Sequence, residues 1–496
     1  MTKPSEQLYV TYSKVSADGK TLRPAYLIQD LRRMYKKMEI QDADCQPDKK
    51  ELTPKSGFAY LIEKLQKKHE GLGTEWQELY TWYRQNPKWR KKIEQIVEAC
   101  FYEKPKDGLT TRTAQRLYGT ILENSVTRLE KFSACAYAHF LSYGLNLRER
   151  EEYTFQAIDL GNIFHSAIEH FAKKLEAEGY TWTTLPEVRR EELIEESVEE
   201  SIVDYGNTIL YSSARNEYII KRLKRMMRRT VWALTKQLEK GDFMPGGYEI
   251  SFGGASGLST SDIALDGHGR MRLRGKIDRV DICEDEDNVY VKVIDYKTGA
   301  KAFDLGELYY GLQLQLVLYL NTALELESRK NHGKTVIPAG IFYYQMKDPI
   351  VDKEKDEEKL EKKILKELRL DGVVNAREEV VRHLDREISG NSLVVPIGRN
   401  KDRSLSKASK TATQEEFELI SEYAKKQMKQ IGTRILEGET EVSPYELGTM
   451  TGCSYCPYKA ICGFEEKIPG YEYRRLQKLK KDEVLMKMRK EVSEWE

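Results

Sequence analysis

The sequence predicts an α/β fold: a mixed central sheet flanked by helices, with large helical additions and a cysteine-bearing C-terminal tail. Two observations carry this. From Tyr248 the apolar pattern switches to a period of two and runs strand, strand, strand, helix, strand as far as Met346. Upstream, between Phe58 and Lys240, apolar residues recur at helical spacing. Strands followed by a crossover helix and a further strand, with helices before them, make a layered fold.

At about 150 residues per domain, a chain of 496 residues holds roughly two to four domains. It buries a sizeable core without disulfide staples. Lys and Arg number 81 against 80 Asp and Glu, so net charge is silent about partners. It does not exclude nucleic acid, because local clusters count and not the sum. A mean hydropathy of −0.64 and the lack of a long apolar run exclude a membrane-spanning protein. The opening MTKPSEQLYVTYSK has no apolar h-region, so a cytoplasmic protein is expected.

The elements follow in order. Residues 1–45 read as a strand, a polar turn and a basic helix. A polar loop with Pro47 and Pro54 comes next, inside a helical linker region, 46–120. Its aromatics Trp76, Tyr80, Trp82 and Tyr83 recur at helical spacing and are expected in a core. Residues 121–245 are helical and carry Cys135 and His165; Ser125 is a fitting N-cap for one helix that runs through Cys135. The α/β core spans 246–350. Its strands are YEISFGG, RMRLRGKIDRVDIC, VYVKVIDYKTG and PAGIFYYQM, with GELYYGLQLQLVLYLNTALEL as one long helix before the last. Residues 351–445 read as helical and charged, with 352–388 a solvated helix. Residues 446–496 hold a cysteine cluster and the tail.

The third strand carries the chemistry. Val289, Val291, Val293, Asp295 and Lys297 share one face, so an apolar face ends in an acid and a lysine. A buried charge needs a partner. A divalent cation held by Asp295 and Asp278 supplies one, and hard oxygen ligands favour Mg2+ or Mn2+. Lys297 is then placed to steady a water or a developing negative charge. Taken alone, the D-x-K pattern is a weak signal, and a strand-end ion pair between Asp295 and Lys297, with Asp278 capping a hairpin, is the commoner reading. Gln315 and Tyr319, four apart on the next helix, share a face. Glu249, on the first strand, is within reach of the same metal.

Seven cysteines are present. Cys453, Cys456 and Cys462 form C-x2-C-x5-C, and three thiolates need a fourth ligand, for which Cys135 is the best placed. Spacing alone leaves zinc and a [4Fe-4S] cluster open. Cys45, Cys100 and Cys283 stand apart as structural thiols.

The set His165, Asp278, Asp295-x-Lys297 and Gln315-x-x-x-Tyr319 resembles the RecB-type branch of the PD-(D/E)xK nucleases. The resemblance implies a restriction-endonuclease-like core. It makes His165, Asp278, Asp295 and the backbone carbonyl of Tyr296 metal ligands. It assigns catalytic roles to Asp278, Asp295 and Lys297, and positioning of site and DNA to Gln315 and Tyr319. One cysteine before the core and three after it resemble the iron-staple nucleases, which implies a structural [4Fe-4S] cluster on Cys135, Cys453, Cys456 and Cys462.

The surrounding segments, among them SVTRLEKFSACAYAHFLSYGL, DLGNIFHSAIEHF and CSYCPYKAICGFEEKIPGYEYRRL, are similar to the C-terminal nuclease part of the AddB/RexB family. These are B subunits of ATP-dependent helicase–nuclease complexes. Residues 1–45 then resemble the remnant of a helicase-like domain. The resemblance implies a metal-dependent DNA exonuclease acting in double-strand break processing for recombinational repair. Its partners would be an AddA-type helicase–nuclease subunit and DNA, as linear ends or the single strand emerging from unwinding. The alternatives are a DNA-binding or docking module with an inactive nuclease fold, and a free-standing Cas4-like iron–sulfur nuclease. The basic stretch 219–229 is a candidate DNA contact.

Two decoys fall away. Gly333-Lys334-Thr335 lacks the earlier glycine of a P-loop, position 328 being Ser, so no ATPase activity is expected from this chain alone. In HSAIEH the two histidines, His165 and His170, are five apart and lie on different helix faces, which argues against a zinc protease.

Overall fold

The computed structural model describes residues 9–16, 21–36, 38, 40, 53–66, 73–102, 104, 108–150, 155–205, 210–253, 258–267 and 269–494. Cys45 and Pro47 lie outside them. The chain divides into two compact units, Met1–Tyr102 and Glu103–Glu496.

The first unit holds α1 (Tyr26–Met34), α2 (Pro54–Gln66), α3 (Thr74–Gln85) and α4 (Arg90–Cys100). Among the described residues, 9–14 form no strand where one is expected, and Val15 bridges Thr21. Helices α2 to α4 close on Leu61, Tyr83 and Ile93, with Trp76 and Tyr80 packed against them. The aromatics are therefore mostly core, although Trp82 is 44% exposed.

The second unit begins with α5 (Thr111–Tyr118), β1 (Ile121–Asn124), α6 (Val126–Ala134) and α7 (Ala136–His139), then a π-helical turn at Phe140–Gly144. Three long helices follow: α8 (Ala157–Ala177), α9 (Glu187–Asp204) and α10 (Ala214–Leu238). Next come β2 (Met244–Phe252), β3 (Asp262–Leu265), β4 (Gly269–Leu273), β5 (Gly275–Glu284) and β6 (Asn288–Lys297). Then follow α11 (Leu305–Tyr309), α12 (Gln315–Lys330), β7 (Thr335–Gln345), α13 (Glu357–Glu367), β8 (Asp371–Asn375) and α14 (Glu378–Leu384). The chain ends with β9 (Thr411–Ala412), α15 (Gln414–Glu437), β10 (Tyr445–Leu447), β11 (Met450–Thr451), α16 (Lys459–Cys462), β12 (Arg474–Arg475) and α17 (Lys481–Glu494).

The central sheet runs β2-β5-β6-β7-β8-β9. Strands β6 and β7 are parallel, and α11 and α12 form the crossover between them. Strand β6 is buried on both faces. Val289, Val291 and Val293 enter one core with α12, α15 and α17. Tyr290, Ile294 and Tyr296 enter the other with α8, α9 and α10. Each fully buried aliphatic side chain contributes about 1.5–3 kcal/mol, so this three-layer arrangement anchors the strand that carries Asp295 and Lys297.

Four further expectations are corrected. The helix from Ser125 does not run through Cys135: the residue is extended, with φ −168°, between α6 and α7. The guanidinium of Arg474 binds the carbonyls of Ser133 and Ala134 and takes the place of the helical bonds lost there. The segment RMRLRGKIDRVDIC is two strands: β4 pairs with β1 and β3 in a small sheet, and β5 joins the central one. A Cβ at Gly275, where the chain changes sheets, would sit 2.7 Å from the Phe252 ring. The long helix of 306–326 breaks at Gly311, whose φ of +74° a side chain would strain. Residues 352–388 are not one solvated helix, since β8 lies inside them and pairs with β7.

Candidate active site

The site forms where β2, β5 and β6 meet α8 and the start of α12. The pairs Tyr248–Arg279 and Ile250–Ile277 bracket Glu249 opposite Asp278. Glu249 has φ +47°, a left-handed conformation that costs a non-glycine residue about 1–2 kcal/mol and turns its carboxylate toward the site.

His165, on α8, reaches both acids. Its Nδ1 lies 3.5 Å from Glu249 Oε1 and 3.4 Å from Asp278 Oδ2. Its Nε2 lies 3.2 Å from the Tyr296 carbonyl oxygen. One donor atom each from His165, Glu249 and Asp278 fall within 4.8 Å of one another, a spacing that a metal ion bridges. The backbone N–H of Tyr296 donates to Asp278 Oδ2 at 2.8 Å and fixes that carboxylate.

Asp295 stands beside this group and is 1% exposed. The Lys297 ammonium is 2.5 Å from its Oδ2 as an ion pair. Yet neither oxygen of Asp295 has a hydrogen-bond partner among the described residues, and Glu249 Oε1 also lacks one. Orphaned buried oxygens are rare in folded proteins. Here they form an acidic, oxygen-rich cradle with one imidazole, which fits a divalent cation.

The electrostatics agree with that fit. Burial and the neighbouring Asp295 push the Asp278 carboxyl up to about 7. Burial pulls the His165 imidazole down, but Glu249 and Asp278 outweigh it and the net shift is upward. Burial raises Glu249, while His165 and Lys276 bring it below its ordinary value.

Lys297 is held from its other side. Its Nζ donates to Gln315 Oε1 at 3.1 Å, and Gln315 Nε2 donates to Tyr319 Oη at 2.9 Å. Burial raises the Tyr319 hydroxyl well above its usual range, which keeps it protonated. The structure thus brings together His165, Asp278, Asp295, the Tyr296 carbonyl, Lys297, Gln315 and Tyr319.

Sequence reasoning missed Glu130. Its Oε1 accepts the backbone N–H groups of Leu314 and Gln315, at 2.8 and 3.1 Å. A carboxylate on α6 therefore caps α12, two of whose first-turn amides are otherwise orphaned. The cap sets where Gln315 points. A signal existed: Glu130 falls in the buried stripe of Val126, Leu129 and Ser133, where a charge is out of place. Glu249, expected only as within reach of the metal, belongs to the closest ligand group.

Of the four candidate ligand cysteines, Cys135 and Cys456 pack in one small cluster with Ala138, Leu141 and Tyr458. Cys135 is buried at the break after α6. Burial raises its thiol, and Cys456 lies close enough to raise it further. Cys453 is raised by burial, with Cys135, Cys456 and Cys462 adding to it. Polar bonds clasp the same segments: Tyr458 Oη donates to the Leu147 carbonyl at 2.8 Å, and the Tyr137 N–H to the Glu441 carbonyl at 3.1 Å.

Geometry bears on two other readings. His170 faces α9, 3.8 Å from Glu200 and 3.6 Å from Asp204, away from His165. Four of the six cations in the basic stretch of α10 are engaged by carboxylates. Lys224 and Arg228 pair with Glu191, Glu195 and Glu199, and Arg225 and Arg229 with Asp348. No helix among the described residues is long and apolar enough to cross a membrane.

This fold and site are those of a nuclease class: residues 123–463 match the PD-(D/E)XK nuclease superfamily, and the chain belongs to it. Residues 52–99 match the fifth domain of AddB, the ATP-dependent helicase/deoxyribonuclease. The chain is 40% identical over 503 residues to the B subunit of the ATP-dependent helicase/deoxyribonuclease of Lachnoclostridium phytofermentans, covering 99% of this chain and 42% of that protein. It is 35% identical to the corresponding protein of Alkaliphilus metalliredigens, covering 99% and 43%. For that of Clostridium tetani the identity is 35%, covering 100% and 44%. The chain spans somewhat more than two fifths of the length of these relatives.

Proposed function

We propose that this chain is the metal-dependent DNA exonuclease module of an AddAB-type helicase–nuclease complex. It would act with an AddA-type subunit on the strands released at double-strand breaks. The observation that carries the reading is Asp295 Oδ1, a buried oxygen with no hydrogen-bond partner among the described residues, on a carboxylate set between Lys297 and the His165–Glu249–Asp278 group. A scaffold has no use for such a group, which argues against an inactive docking module. The match of residues 52–99 to the AddB fifth domain favours this reading over a free-standing Cas4-like nuclease.

In this reading His165, Glu249, Asp278, Asp295 and the Tyr296 carbonyl hold Mg2+ or Mn2+. When bound, the cation supplies Lewis-acid polarisation of the scissile phosphate and a more acidic water. Lys297, aimed by Gln315 and Tyr319, presents its ammonium to the charge that grows on the phosphoryl oxygens as water attacks and the P–O bond breaks. Asp278, raised by burial and by Asp295, must lose its proton before it serves as a ligand.

The four cysteines hold a [4Fe-4S] cluster in this reading, as a staple between the end of α6 and the C-terminal segment. Iron and sulfide counts on anaerobically purified protein test it; stoichiometric zinc without iron would overturn it.

The nuclease reading is tested with end-labelled linear DNA and Mg2+, comparing the wild type with Asp295→Ala and Lys297→Ala. Each variant should lose about 10²–10³-fold or more in rate. If the wild type is silent alone, the assay is repeated with a partner subunit whose own nuclease is inactivated. Cleavage that survives both substitutions would overturn the assignment.

A further inference from the structure

Strand β4 and the start of β5 carry a row of cations that the site described above does not use. Arg270, Arg272, Arg274 and Lys276 alternate with the buried Met271, Leu273 and Ile277. The alternation continues across the change of sheet at Arg274. The Arg270, Arg274 and Lys276 side chains are 60%, 62% and 53% exposed. The row is rigid: β1 and β3 pair with β4 on both edges, and the Arg274 N–H extends the β1 pairing to the Asn124 carbonyl at 2.9 Å. Its last member touches the site. Lys276 Nζ lies 3.0 Å from Glu249 Oε2, and the other oxygen of Glu249 faces His165.

The acids beside the row do not cancel it. Arg270 pairs with Asp262 at 3.4 Å, while Arg272 and Arg274 share one carboxylate, Glu123, at 3.9 and 2.9 Å. Three arginines thus face two acids in half-exposed pairs. Such pairs are worth about 0–1 kcal/mol and exchange readily for phosphate. On α10, by contrast, Lys224, Arg225, Arg228 and Arg229 meet four carboxylates. Alternate residues on a strand stand about 7 Å apart in a straight line. That suits successive phosphates of one extended strand; the backbone of a duplex winds away from a straight row.

We infer that this row is the track on which a single DNA strand lies as its backbone enters the site, passing Arg270, Arg272 and Arg274 in turn before Lys276. The inference rests on the nuclease reading for its direction of travel. Its test is binding, so the two stand or fall separately.

The measurement is the Kd of the full chain for a fluorescent single-stranded oligothymidylate, by anisotropy across a salt series. The triple substitution Arg270→Ala, Arg272→Ala, Arg274→Ala should weaken binding by ~10-fold or more at 0.1 M salt. It should also flatten the slope of log K against log salt by about 2, near 0.7 for each phosphate no longer held. Glu123→Gln moves the other way and should tighten binding, a result that misfolding cannot imitate. The pair Arg225→Ala, Arg229→Ala on α10 should leave Kd unchanged. An unchanged Kd and slope in the triple variant, or a loss confined to the α10 pair, overturns the track. Loss of cleavage in Asp295→Ala with binding retained reports on the nuclease reading alone.

Discussion

A few residues apart on β5 and β6 lie two clusters of buried charge, one closed and one open. In the closed cluster Asp281 receives Arg279 Nε at 2.5 Å, Arg279 Nη2 at 3.0 Å and Lys292 Nζ at 2.8 Å. Both of its oxygens are taken, and despite complete burial its carboxyl lies below the usual range. The Arg279 guanidinium also stacks over the Trp182 and Tyr248 rings. In the open cluster Asp278 is pushed up, and Asp295 has no hydrogen-bond partner among the described residues. Burial is common to both. What separates a structural charge from one kept for a ligand is whether the chain itself completes the coordination.

The largest expected effect breaks the closed cluster. Asp281→Ala leaves Arg279 and Lys292 buried without their counter-ion, and should destabilise the protein by about 3–5 kcal/mol in urea unfolding. The open cluster should behave differently. Asp295→Asn removes a buried charge that Lys297 alone neutralises, so the metal-free protein should lose far less stability than Asp281→Ala does. It should still lose about 10²–10³-fold in cleavage rate. If Asp295→Asn proved as destabilising as Asp281→Ala, the distinction between the clusters would collapse.

Much of the open cluster was legible because strand periodicity is a local signal. Val289, Val291 and Val293 declare a buried face, and Asp295 and Lys297 stand out against it. The misreadings fall where distant residues override local pattern. Nothing between residues 125 and 145 announces that Arg474, hundreds of positions later, takes the carbonyls before Cys135 and lets the helix break there. The alternation of RMRLRGKID is unbroken in sequence, yet its halves serve different sheets because β1 captures Arg274. Gly311 was visible, but one glycine inside an apolar helical pattern does not say that Glu130 will hold a second start. The backbone of Glu249 leaves no trace in the sequence at all.

Glu130 gives a smaller effect that sharpens the comparison, because it shows how the open cluster is held without being filled. Glu130→Ala frees the Leu314 and Gln315 amides and lets Gln315 drift from Lys297. The turnover rate should fall by roughly 10-fold, as expected when one oriented group is lost from a site, with KM for DNA little changed. Glu130→Gln keeps an oxygen that accepts both amides and should recover most of the rate. Equal losses in both variants would mean that the charge of Glu130 matters, and not its cap.

The smallest effect is a difference in slope with pH, and the two clusters predict opposite signs. The folded-state pKa of Asp278 is raised, so its contribution to stability is fully present at acid pH, below its unfolded value of about 3.9. It is lost as pH climbs toward about 7, because the folded state must then ionise a buried acid next to Asp295. Asp281 is lowered, so its contribution is present above the unfolded value and is lost as pH falls through the folded one. In the metal-free protein the melting temperature should therefore decline between pH 5 and 8 by more than it does in Asp278→Asn. Mg2+ or Mn2+ binds only the ionised carboxylate and should reverse that decline. Its stabilising shift should be small at pH 5.5, where a proton competes, and larger at pH 8. A metal shift that does not change with pH would mean that neither Asp278 nor His165, whose raised imidazole must also lose a proton to bind, is among the ligands.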